Sequence, residues 1–178
     1  MTLVEVMIAT GLGSLVLGAV SLFTMYGARS SVAVIHYTDL DAKSRYALDI
    51  ISREIRQANA VLAYQPNQSL TLTNSAQSAV ITLTWDSNAR TVTLDKTGQP
   101  TVTNLTECDA WGFSLYQRTP WVTPTNTIFY PATNNAGVID VSLCKLINLS
   151  WKCSRAILGN KINTESVQSA QIVLRNKQ

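Results

Sequence analysis

MTLVEVMIATGLGSLVLGAVSLFTMYGA, residues 1–28, is the stretch that decides the fold of this chain. It is almost entirely apolar, and Glu5 is its only charged side chain. About 20 consecutive apolar residues suffice to cross a bilayer as a helix. The stretch therefore predicts a helix that lies in lipid or among other apolar helices.

The charges around this segment are unusual for a membrane protein. No basic residue precedes the apolar run, and the first positive side chain, Arg29, follows it. A secretory signal peptide would begin with basic residues, and cytoplasmic Lys and Arg normally orient a membrane helix. We therefore expect a short basic leader to precede Met1 in the unprocessed chain.

Glu5 is the most informative residue of the segment. A carboxylate inside hydrocarbon costs roughly 2.5–3.5 kcal/mol, so it calls for a counter-charge. No Lys, Arg or His occurs before Arg29, which leaves the α-amino group of Met1 as the nearest cation. That amine belongs to the same helix or to a neighbouring copy. Pairing between copies would neutralise two costly charges and would fix the axial register of packed helices.

The string TLVEVMIA, residues 2–9, resembles the N-terminal motif of type IV pilins and type II secretion pseudopilins. In that motif a phenylalanine usually precedes TLVE, whereas this chain has Met1. The resemblance implies cleavage by prepilin peptidase just before Met1 and N-methylation of Met1. It also implies that Glu5, with Thr2 beside it, forms the assembly contact with the N-terminus of the next subunit.

The same resemblance implies partners and a location. The partners would be further copies of this chain in a helical homopolymer, other pilins or pseudopilins, and an inner-membrane platform with its assembly ATPase. Before assembly the protein would be a single-pass protein in the bilayer of the bacterial inner membrane. After assembly it would belong to a periplasmic or extracellular filament.

The helical pattern continues beyond residue 28 but becomes amphipathic. Apolar residues recur at spacings of three and four, which predicts a stripe that packs on a sheet. We predict one helix from about residue 2 to about residue 60, roughly 85–90 Å long. Its apolar part is 1–28 and its amphipathic part is 29–62. The stripe consists of Leu48, Ile51, Ile55, Ala58 and Leu62.

A second resemblance lies at the end of this helix. The string SRYALDIISREIRQA, residues 44–58, is similar to the corresponding part of J-type minor pseudopilins and W-type minor pilins. It implies a minor or secretion-type subunit, although the choice between a major and a minor subunit stays open.

Residues 63–178 have a different period. Apolar and polar residues alternate, which predicts an antiparallel β domain and an α+β fold. Residues 86–88 predict a hairpin turn, and 119–137, rich in Pro, Thr and Asn, predicts a long loop. The predicted strands are 69–74, 79–85, 90–96, 138–143, 146–152 and 170–175, with Phe113 and Leu115 in a further strand.

Three cysteines and one histidine, His36, occur in the chain, and their spacing does not match a zinc site. If 146–152 is one extended strand, Cys144 and Cys153 lie on the order of 30 Å apart. A disulfide needs Cα atoms within about 7 Å. Any bridge would therefore join Cys108 to Cys144 or to Cys153. The alternative is three reduced, buried cysteines.

The sequence contains no pattern that predicts an enzyme. Nucleotide-binding, metalloprotease and nucleophile-elbow motifs are all missing. Glu107, Asp109 and Asp140 could form a carboxylate site, but their spacing matches no calcium loop. We expect no catalytic residues, no cofactor and no metal. Lys and Arg are scattered and the net charge is +3, so nucleic-acid binding has little electrostatic support.

Two functions of different kinds are compatible with these patterns. The first is a filament subunit that assembles through its N-terminal helix. The second is a membrane-tethered extracytoplasmic binding or adhesin module that uses loop 119–137. In the second case Trp111, Trp121 and Tyr130 could stack on sugars, although an aromatic core is the commoner role for such residues.

Overall fold

One uninterrupted helix, α1, dominates the computed structural model of the chain. It runs from Leu3 to Gln57, which is 55 residues and about 82 Å. The structure describes residues 2–74, 79–117, 130–134, 136–156 and 164–174. Within them α1 packs on two antiparallel sheets, so the predicted α+β fold with a long N-terminal helix is confirmed.

The helix ends earlier than the sequence predicts. Ala58 adopts an extended backbone and donates its N–H to the carbonyls of Glu54 and Ile55. Asn59 then donates its N–H to Thr73, which starts a strand that the sequence did not predict. Leu62 lies in this strand and is 51% exposed. It is therefore not part of the helical stripe, and the amphipathic helix stops before residue 62.

The two halves of α1 differ in burial. No residue between 3 and 35 is buried, whereas the second half buries one face. The predicted stripe residues Ile51 and Ile55 are fully buried, and Leu48 is half-buried. Burial of the helix against the sheets therefore begins near Leu40. The buried residues of α1 are Leu40, Ser44, Ala47, Ile51 and Ile55.

The first sheet is a five-stranded meander in which each strand pairs with the next along the chain. Its inward-facing leucines, isoleucine and valine are buried, which confirms the predicted alternation. Asp86 accepts hydrogen bonds from the N–H groups of Asn88 and Ala89, which forms the predicted turn. The strands are β1 (Ala60–Gln65), β2 (Ser69–Asn74), β3 (Ala79–Asp86), β4 (Thr91–Lys96) and β5 (Val102–Leu105).

The second sheet has four strands: β6 (Cys108–Gln117), β7 (Tyr130–Pro131), β8 (Leu146–Ser154) and β9 (Glu165–Val173). Their order across the sheet is β7-β6-β8-β9. α1 lies mainly along β9 and also touches β8 and β5. The second sheet therefore supplies most of the surface on which the helix rests.

Two strand predictions in this half were wrong in part. The segment 138–143 is not a strand: Asp140 accepts from the N–H of Ser142 and caps a 3-10 turn, Val141–Leu143. Strand β9 begins at Glu165, well before the predicted start at residue 170. Its inward-facing Ser166 and Gln168 bind Asp41 of α1. Because these inward-facing side chains are polar, the first part of β9 lacks the alternation of apolar and polar residues that predicts a strand.

Candidate functional site

The first half of α1 projects from the β domain as an apolar rod. It is long and apolar enough to cross a membrane, and none of the residues in its most apolar stretch is buried. Phe23 is 81% exposed. Exposure of so much contiguous apolar surface marks a site that lies in lipid or against other protein. We call residues 3–35 the exposed half.

Four hydroxyl groups within the exposed half are satisfied by the helix itself. The hydroxyls of Thr10, Ser14, Ser21 and Thr24 donate to carbonyls three or four residues earlier. Unsatisfied polar groups would be costly in a medium without water. Because these hydroxyls are hydrogen-bonded within the helix, they add little to the cost of placing the rod in an apolar medium.

Thr2 and Glu5 form a capping box at the start of the helix, which the sequence analysis missed. The Thr2 hydroxyl accepts from the N–H of Glu5 at 3.4 Å. The Glu5 carboxylate accepts from the N–H of Thr2 at 3.3 Å. The signal was readable, because Thr followed three residues later by Glu is the capping-box pattern. Met1 lies outside the described residues.

The capping box leaves Glu5 able to bind a cation. A carboxylate has about four acceptor positions, and the cap occupies one of them. Glu5 is exposed, and no ion pair among the described residues includes it. The first turn of a helix also favours a negative charge. Glu5 thus presents an exposed carboxyl group at the tip of an apolar rod.

A second cluster fixes the middle of α1 to the sheets, and we call it the Arg155 anchor: Arg155, Glu107, Asp39 and His36. Arg155 forms a two-armed contact with Glu107, with Nε–Oε1 at 2.9 Å and Nη2–Oε2 at 2.7 Å. Its Nη1 reaches Asp39 Oδ2 and His36 Nδ1, both at 3.0 Å. One guanidinium thus links β6, the end of β8 and the helix.

The charges of the anchor are set by these contacts. A hydrogen bond from Lys43, and secondly one from Arg155, lower the pKa of Asp39 below its ordinary value of 3.8. The contact with Glu107 raises the pKa of Arg155. Because a guanidinium can only donate, the Nδ1 of His36 accepts its hydrogen bond from Arg155. His36 therefore takes part in the contact between α1 and the sheets.

Three further residues of α1 continue the attachment through polar contacts. The buried indole N–H of Trp151 donates to Ser44 Oγ at 2.7 Å. Gln168 and Ser166 both bind Asp41. Lys96 pairs with Glu54 at 3.4 Å. Together with the Arg155 anchor they hold residues 36–55 in a fixed position, from which the exposed half extends.

The three predicted carboxylates do not form a shared site. Glu107 belongs to the Arg155 anchor. Asp109 pairs with Arg90 at 2.7 Å and accepts from the Ser154 hydroxyl, and Asp140 caps the 3-10 turn. Within the described ranges, no group of three or more His, Cys, Asp and Glu is placed to hold a metal ion.

The cysteines are all buried. Cys108 on β6 lies directly opposite Cys153 on β8. Cys144 precedes β8, and its thiol donates to the Leu146 carbonyl at 3.6 Å. The structure therefore brings together one of the two predicted cysteine pairs, Cys108 with Cys153.

The aromatic residues proposed for a binding module are only partly described. Trp111 is buried, stacks on Trp151 at 5.4 Å and meets Phe113 edge-on. It therefore belongs to the core and cannot stack on a ligand. Tyr130 is half-buried in β7. Trp121 and most of loop 119–137, namely 119–129 and 135, lie outside the described residues.

Comparison of the chain with protein-family models, curated proteins and solved structures finds no significant match. The resemblance to pilins therefore remains an expectation drawn from residues 2–9 and 44–58 of the chain.

Proposed function

We propose that the chain is a subunit of a type IV pilus-like or type II secretion pseudopilus filament and assembles through its exposed half. The observation that carries this proposal is the rod of residues 3–35, none of which is buried. An apolar surface of this length cannot remain in water. Lipid covers it before assembly, and the helices of neighbouring copies cover it afterwards.

The proposed mechanism uses the two ends of the rod. At its N-terminal tip, Glu5 neutralises the α-amino group of the adjacent subunit and so fixes the axial offset between copies. At its other end, the contacts of residues 36–55 give every β domain the same position relative to its helix. Identical offsets and identical attachment would produce a regular helical array with β domains on the outside.

The proposal includes the processing and the partners that the motif implies. Prepilin peptidase would expose the amine of Met1 and methylate it, and a platform protein with an assembly ATPase would extract the subunit from the inner membrane. Other pilins or pseudopilins would join the same filament. The β domain would then lie in the periplasm or outside the cell.

The capping box provides a sharp test, because Glu5 could matter as a cap or as a charge. Glu5→Gln keeps a side chain that can complete a capping box but removes the charge. Thr2→Ala breaks the cap but keeps the charge. Each variant would be introduced into the gene of the organism that makes the protein, and sheared surface filaments and secreted cargo would be measured.

We expect Glu5→Gln to abolish filaments while the subunit stays in the membrane fraction, since removal of the charge lowers the cost of keeping the helix in the bilayer. Thr2→Ala should assemble, with helix stability lowered by about 1 kcal/mol. Normal assembly of Glu5→Gln would refute the charge-pairing mechanism. Loss of assembly in Thr2→Ala alone would assign Glu5 to capping.

The second candidate is the membrane-tethered extracytoplasmic binding or adhesin module with loop 119–137. It shares the membrane helix with the first candidate but needs no contact between copies. Two observations together would favour this alternative. Cells with the native chain would form no filament, and the Glu5→Gln variant, exposed at the cell surface, would bind its target as well as the native chain does.

A further inference from the structure

Cys108 and Cys153 occupy a position in the second sheet that suits a covalent bond. They are register partners on β6 and β8, and both are fully buried. Cys108 donates its backbone N–H to Arg90, and Ser154 donates to Glu107, so the two cysteines form a non-hydrogen-bonded pair. Cα atoms at such positions are about 4.5 Å apart, within the range of about 4.4–6.8 Å that disulfides need.

The side chains of the pair also meet. The pKa of the Cys153 thiol is raised, chiefly by its hydrogen bond with Cys108 and secondly by burial. Cys144 lies before the start of β8, whereas Cys153 lies near its end. An extended strand therefore separates Cys144 from Cys153, at about 3.3 Å per residue. The geometry selects one of the two pairings that the sequence left open.

We propose that Cys108 and Cys153 are the disulfide site of this chain and that Cys144 keeps its thiol. The inference rests on the proposed function in one respect, namely that an extracytoplasmic location supplies the oxidant. The oxidant is a protein or small-molecule disulfide, such as glutathione disulfide. Oxidising compartments are where structural disulfides form and persist.

The chemistry is thiol–disulfide exchange. One cysteine, as its thiolate, attacks a sulfur of the oxidant, which breaks the oxidant's S–S bond and releases one thiolate. The second cysteine then attacks the mixed disulfide, forms the Cys108–Cys153 bond and releases the other thiolate. The two cysteines give up two protons and two electrons, and the oxidant becomes two thiols.

The bond would reinforce the attachment of the helix. Glu107 immediately precedes Cys108, and Arg155 follows Cys153 after one residue. The disulfide would therefore join the two strand ends that carry the main ion pair of the Arg155 anchor. It would also close the chain between residues 108 and 153, which restricts the unfolded state.

The test uses the full chain in detergent, reduced and unfolded in urea, and then refolded in a buffer of reduced and oxidised glutathione. Remaining thiols are alkylated after an acid quench, and linked peptides are identified by mass spectrometry. We expect one bridge, between the peptides that contain Cys108 and Cys153, and an alkylated Cys144. A bridge that involves Cys144, or no bridge at all, would overturn the inference.

Matched variants and a thermal melt complete the test. Cys144→Ala should form the same bridge, and Cys108→Ala should form none. Reduction should lower the melting temperature of the native chain and of Cys144→Ala by about 10 °C, and an unchanged melting temperature would contradict a structural bond. Alkylation in intact cells tests location separately. A chain that bridges on refolding but is reduced in cells would count against the proposed function alone.

Discussion

Replacement of Arg155 by alanine should loosen the middle of α1 from the sheets. Its guanidinium makes three hydrogen bonds with Glu107 and one with Asp39. The side chains of Arg155 and Glu107 are only 20% and 29% exposed. Removal of one partner therefore leaves a carboxylate that water can solvate only in part.

The expected cost follows from these contacts. Hydrogen bonds to charged groups contribute about 1.5–3 kcal/mol, whereas fully exposed ion pairs contribute about 0–1 kcal/mol. The contact with Glu107 lies between these cases but nearer the first. We therefore expect Arg155→Ala to reduce the free energy of unfolding of the β domain by about 2–3 kcal/mol, which is a fall in melting temperature of about 4–12 °C.

The assay combines urea unfolding, followed by tryptophan fluorescence, with hydrogen exchange of the helix amides. Trp151 is a direct reporter because its indole N–H binds Ser44 of α1. Exchange should become faster in residues 36–44 and should change little within the sheets. Arg53→Ala is the matched control, since Arg53 is an exposed arginine of the same helix. Equal effects of the two substitutions would refute the anchoring role of Arg155.

Three further predictions concern stability. Ser44→Ala should cost about 1–3 kcal/mol in urea unfolding because it orphans the buried indole N–H of Trp151, and a cost below about 0.5 kcal/mol would contradict this contact. Ile51→Ala should cost about 2–5 kcal/mol, whereas Leu15→Ala, at a position 70% exposed, should leave unfolding of the β domain unchanged. Because the pKa of Asp39 is lowered in the folded chain, the stabilising effect of Asp39 is complete above about pH 3.8 and is lost as the pH falls through the folded pKa. Asp39→Asn should therefore make the free energy of unfolding depend less on pH below about 3.8. An identical pH profile for the variant and the native chain would show that the pairing contributes nothing.

The main elements of the fold were predictable because their signals are local. The helix follows from apolar periodicity without a proline before Pro66, and β2, β3 and β4 follow from strict alternation of residues such as Leu70 and Leu72. The 3-10 turn at Val141–Leu143 was not predictable from alternation, since the Asp140 cap overrides it.

The attachment of the helix was not predictable, because it depends on residues far apart in the chain. Arg155 meets Asp39 and His36 only after β8 has paired with β6. The capping box of Thr2 and Glu5 is a contrasting case, since it is local and could have been identified.

The continuity of α1 has a mechanical consequence. Tension applied along the axis of the exposed half would pull α1 lengthwise past the sheets. The contacts of residues 36–55 are spread along that axis, so all of them would share the load and would have to shear at once. A sideways force would act on a lever about 50 Å long and would first strain the contacts nearest its base, at His36 and Asp39. The attachment is therefore built to resist pulling more strongly than bending.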